Sequence, residues 1–113
     1  MATYLSNQTG DWNTSSTWLT AAAGSLVPTG AAGRSPQSGG NDKIVIRAGH
    51  TVLYSVNGEF GDGSTFNTNL TSAGGIVVVG TLSATRTAST SLTVRGSITV
   101  TAGGTFDWGT VDT

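Results

Sequence analysis

Gly75-Ile76-Val77-Val78-Val79-Gly80-Thr81-Leu82-Ser83-Ala84 and Ser91-Leu92-Thr93-Val94-Arg95-Gly96-Ser97-Ile98-Thr99-Val100-Thr101 carry one device twice: a strand, a single glycine corner, a second strand. In the second stretch the alternation is plain. Leu92, Val94, Ile98 and Val100 can share one face, with Thr93, Arg95, Thr99 and Thr101 on the other. Thr105-Phe106-Asp107-Trp108-Gly109-Thr110-Val111 repeats the device. Lys43-Ile44-Val45-Ile46-Arg47, broken by Ala48-Gly49 and resumed by His50-Thr51-Val52-Leu53-Tyr54, is an earlier version of it. Val, Ile and Thr dominate these runs, and β-branched residues favour strands.

The glycine has two structural readings. In a β-solenoid it lets the chain turn a corner onto the next face of the coil. In an antiparallel sandwich, Val79-Gly80 and Arg95-Gly96 would be hairpin turns. Tight two-residue hairpins favour Asn-Gly or a Gly-first pair, and neither stands here, whereas Gly in second place suits a type II corner. The expected fold is all-β, a short β-solenoid (β-helix or β-roll), with an antiparallel β-sandwich as the alternative.

Working outward, the 113 residues amount to one all-β domain, 1–113, with the strand-Gly-strand rungs over 43–113. Charged residues make up only 10%, against a usual share of about 25%. Small polar residues replace them: 20 Thr, 13 Ser and 17 Gly. The 24 Leu, Ile, Val and Phe residues suffice for a thin core. A net charge of -1 gives no electrostatic reason to expect nucleic acid or an anionic membrane as partner. The absence of Cys excludes disulfides and thiolate metal sites. No stretch approaches the ~18 apolar residues of a membrane span. The start, Met1-Ala2-Thr3-Tyr4-Leu5-Ser6-Asn7, shows neither a basic region nor an apolar run, so no export signal is expected.

Residues 1–20 form a Trp-containing cap segment. Thr3-Tyr4-Leu5 suits a short strand. The residues between Trp12 and Trp18 are rich in helix-capping types, which predicts one or two helical turns with both indoles facing inward. The stretch from Gly30 to Asn41 has no periodicity and no apolar anchor, so it is expected to be an exposed loop, mobile in isolation and ordered against a neighbouring subunit. Residues 57–74 also read as loop.

Taken in order, Gly10-Asp11-Trp12, Ser16-Thr17-Trp18, Val27-Pro28-Thr29, Asp42-Lys43-Ile44-Val45-Ile46, Ala48-Gly49-His50-Thr51-Val52 and Ile76-Val77-Val78-Val79-Gly80-Thr81-Leu82 resemble the opening segment of G8-like and parallel β-helix surface proteins. The pattern is also common in tailed-phage virion proteins. The resemblance runs from about Gly10 to Val111. It implies that the tryptophan segment caps the first coil, that the stretch from Asp42 to Val52 is the first rung, and that the later Gly-x-Leu stretches are further rungs. Two features depart from it. The loop between Pro28 and Asp42 is longer than the family's short turn, and Tyr54-Ser55 stands where an acidic residue often follows the first rung. A short, Cys-free, Thr/Gly-rich version resembles a phage structural protein more than a secreted enzyme or adhesin.

No catalytic set emerges. His50 is the single histidine and suits hydrogen bonding in its turn. Glu59 and Asp62 are the one carboxylate pair that glycoside hydrolysis could use, but their Gly-rich surroundings would position them poorly. Asp11 and Asp42 read as cap and turn residues. Asp62-Gly63-Ser64 lacks the alternating ligands of a calcium loop. No cofactor and no metal are expected, and the chain is not expected to be an enzyme.

The resemblance implies a capsid decoration (cement) protein of a virion. Such a protein binds the major capsid protein, stabilises capsomer junctions and is a homo-oligomer, with a trimer favoured. The alternative is a tail or head fibre or tailspike segment that presents a glycan-binding surface. Arg34, Gln37 and Trp108 are the candidate binding residues. Arg34 is the single charge in its loop, and Arg is a favoured interface anchor.

Overall fold

In the computed structural model, residues 3–22, 25–63, 75–84, 86–87, 91–107 and 111–112 are described. They form β1 (Thr3–Ser6), β2 (Gly10–Asp11), β3 (Trp18–Ala21), β4 (Pro28–Ala31), β5 (Lys43–Ile46), β6 (Thr51–Tyr54) and β7 (Gly58–Phe60). After these come β8 (Ile76–Val78), β9 (Thr81–Ala84), β10 (Arg86–Thr87), β11 (Leu92–Val94), β12 (Ile98–Val100), β13 (Thr105–Asp107) and β14 (Val111–Asp112). The protein is all-β, as the residue types dictate.

Pairing across the glycine corners is parallel. In the largest sheet, β12, β8, β5 and β1 lie side by side, with Tyr4 opposite Ile44, Ile44 opposite Ile76, and Ile76 opposite Ile98. In the second sheet β13, β9, β6 and β2 do the same, with Val52 opposite Leu82 and Leu82 opposite Phe106. β7 pairs with β11, and β10 with β14, both in parallel. Antiparallel pairing is confined, among the described residues, to β1–β3 and β3–β4, which makes the largest sheet mixed.

The hairpins of the sandwich alternative are absent. Val79-Gly80 separates β8 from β9, which belong to different sheets, and Arg95-Gly96 likewise separates β11 from β12. At Gly96 the backbone adopts φ 96°, a conformation that side chains disfavour.

The expected helical cap is also corrected. Between the tryptophans only Ser15–Thr17 is helical, as a single 3-10 turn, and the residues before it form a turn that follows β2. Thr14 gives this turn no side-chain cap, and the flanking Gly10-Asp11 and Trp18 are drawn into sheets instead. The indoles do face inward: Trp12 and Trp18 are fully buried, their ring centroids 5.1 Å apart and edge-on. Trp18 Nε1–H donates to the Trp12 carbonyl at 2.8 Å.

Alternation sorts the side chains into two cores. The inner one holds Tyr4, Ile44 and Ile76 from one sheet, Val52, Leu82 and Tyr54 from the next, and Phe60, Trp12 and Trp18. The opposite face of the largest sheet does not meet water. Leu5, Val45 and Val77 form a second cluster there with Ala21, flanked by Leu19, Leu26 and Val79.

Thr99 stands opposite Val77 in this second column, and its hydroxyl is buried without a hydrogen-bond partner. A buried, unsatisfied hydroxyl costs about 1–3 kcal/mol. Thr99→Val keeps the shape and removes the hydroxyl, so it should raise stability by about 1 kcal/mol in a urea titration.

Candidate binding surface

The stacks end on one side in strand edges that pair with nothing among the described residues: β12, β13 and β11. Alternation aims Leu92, Val94 and Ile98 at the inner core, but no further strand among the described residues covers them, and they remain half-buried. With Phe106 they line an apolar cavity of about 250 Å³. Phe106 itself is 37% exposed, and Val100, two residues beyond Ile98 on β12, is 43% exposed. Unpaired backbone N–H and C=O groups along a sheet edge are a ready template for another chain. This surface can therefore offer both main-chain hydrogen bonds and apolar area.

Of the expected binding residues, Arg34 is held away from it. Arg34 Nε–H donates to the Tyr4 hydroxyl at 3.0 Å, and this bond is the main cause that raises the guanidinium's pKa above its ordinary value. Tyr4 lies on β1, three ladder steps from β12, or about 14 Å at the usual strand spacing. Gln37 is exposed and turns its amide onto the Ser35 carbonyl at 2.9 Å. Trp108 lies outside the described residues.

The stretch from Gly30 to Asn41 is largely exposed, as expected, but it is not loop throughout. Its first residues belong to β4, Pro36 is buried, and Ser38 and Gly39 bond to Glu59 along the flank of β7. These bonds tie Ser38 and Gly39 to β7 of the same chain. Glu59 itself sits on β7 instead of in a loop.

The carboxylates have local partners. Glu59 lies 3.7 Å from Arg95. Asp62 acts on Lys43, whose ammonium is buried and has its pKa lowered by burial, with Asp62 opposing that shift. Asp11 accepts from the Asn13 amide at 2.8 Å and from the Ser55 hydroxyl at 2.5 Å, as a turn residue would. Burial pushes the Tyr54 phenol up to about 12, and its hydroxyl donates to the Ser91 carbonyl. Among the described residues, no group of three His, Asp or Glu side chains could hold a metal ion. None of the described helices is long and apolar enough to cross a membrane.

His50 has a partner that its sequence neighbourhood does not announce. Its Nδ1 lies 2.7 Å from the Ser6 hydroxyl, 44 residues away. On its outer side, His50, Thr51, Gly80, Thr81, Ala102 and Gly103 border a polar groove of about 360 Å³ that runs across successive corners. Comparison with family models, with curated proteins and with solved structures gives no match.

Proposed function

We propose that the chain is a short β-solenoid that works by assembly and performs no catalysis. In this reading it is a decoration protein on a tailed-phage capsid, whose end surface at β11, β12 and β13 docks on its neighbours. The observation that carries the reading is the combination of three parallel edges that no further described strand pairs with and an apolar cavity lined by Leu92, Val94, Ile98 and Phe106. Parallel, in-register ladders that link β1 to β12 and β2 to β13 support the solenoid. The phage setting rests on the sequence resemblance. The partners would be the major capsid protein and further copies of this chain, with a trimer favoured, and burial of the end surface would clamp adjacent capsomers.

Val100 is the residue to change, because it is exposed on the outermost edge and lies outside both buried clusters. Val100→Lys should leave the melting temperature within a few degrees of the parent. It should weaken particle binding in a co-sedimentation assay by at least about tenfold, since a buried, unpaired charge costs several kcal/mol. Binding equal to the parent's would move the contact elsewhere.

The hydroxyl-lined groove favours a second reading, a fibre segment that holds a glycan across the Thr51 and Thr81 corners. Glycan-array binding lost on Thr81→Val, with particle binding intact, would select it.

A further inference from the structure

We propose that Ser6, Arg47 and His50 form an acid-opened clasp, which holds the end of β1 against the β5–β6 corner while the imidazole is neutral and releases it on protonation. Three short hydrogen bonds or contacts meet at Ser6. Ser6 is fully buried. Its Oγ accepts the Arg47 backbone N–H at 2.7 Å and lies 2.7 Å from His50 Nδ1. Its carbonyl accepts Arg47 Nε–H, also at 2.7 Å. With one Oγ lone pair occupied by the Arg47 amide, the Ser6 O–H is free to donate to Nδ1, which can accept only when the imidazole is neutral.

Protonation turns Nδ1 into a donor. The Ser6 hydroxyl hydrogen then loses its acceptor inside a buried site, and a second positive charge appears next to Arg47. The charged group facing His50 is Arg47, on its own corner. The other walls, Ser6 on β1 and residues 79–81 and 102–103 across the groove, carry no ionisable side chain. Burial first, and the Arg47 charge second, lower the His50 pKa below its ordinary 6.5, with a hydrogen bond to the Ser6 backbone pulling the other way. A group whose folded pKa is depressed contributes stability above its unfolded value, and that contribution is lost as pH falls below it. The clasp is therefore complete above about pH 6.5 and weakens toward pH 5.

His50 is the chain's single histidine, so its ring protons can be followed without ambiguity by NMR. Its titration midpoint in the full chain should fall below 6.5. Hydrogen exchange of the Arg47 amide, corrected for the intrinsic pH effect, should quicken several-fold between pH 7.5 and pH 5, while the Val79 amide, which bonds to Ile46, stays protected. His50→Asn places a non-titrating acceptor near Nδ1 and should abolish the difference. A midpoint at or above 6.5 would overturn the proposal. So would Arg47 exchange that ignores pH in the parent, or that quickens equally in His50→Asn.

Discussion

Trp12→Ala should cost about 3–5 kcal/mol in urea unfolding, the loss typical of truncating a buried aromatic to alanine. Such a loss is a large part of the 5–15 kcal/mol that usually holds a domain together. Trp12 is fully buried and sits edge-on to Trp18, Tyr54 and Phe60, with ring centroids 5.0–5.1 Å away. It joins the N-terminal segment to β6 and β7, so its removal opens a cavity where three parts of the chain meet. The Trp18 indole N–H donates to the Trp12 backbone carbonyl, so that bond does not depend on the Trp12 side chain. Trp12→Phe should recover part of the loss. A cost below about 1 kcal/mol for the alanine variant would mean that the aromatic cluster does not organise the core.

Gly80→Ala should be nearly as damaging, for a reason found in the backbone. A Cβ at Gly80 would collide with the carbonyl oxygens of Arg47 and His50, on the corner beneath it. Those two corners are held together by Val79 and Gly80 amides donating to Ile46 and by the Thr81 amide donating to His50. The methyl group can enter only if the corners separate, and such overpacking costs about 1–3 kcal/mol or more. Gly30 is the control. It lies on β4 with nothing within 4 Å of a Cβ, so Gly30→Ala should change stability by no more than about 0.5 kcal/mol. Thermal melts of the two variants side by side distinguish a close approach between corners from a general intolerance of losing glycine.

Period-two alternation around Gly80 and Gly96 made most strands legible, because a strand with one buried face must alternate and a corner must break it. The same alternation pointed to Leu92, Val94 and Ile98 as one face, and they line the apolar cavity. What escaped was set by partners distant in sequence. Gly58-Glu59-Phe60 reads as loop, yet it is held as a strand by β11 on one side and by Ser38 and Gly39 on the other. Capping residues between the tryptophans suggested helix, but sheet pairing of Gly10-Asp11 and Trp18 left room for one 3-10 turn. Arg34 read as a free anchor because nothing local could show that Tyr4 holds it. Ser6 carries no sequence mark at all, since its role exists only once β1 lies against the β5–β6 corner.

The most direct test of the docking account is a cryo-EM map of the particle that carries this protein. The account predicts density of this size on the outer surface of the head, at junctions between capsomers, with the β11, β12 and β13 edges turned toward a neighbouring subunit. Density confined to the tail, or a head density whose Leu92, Ile98 and Val100 face open solvent, would contradict it.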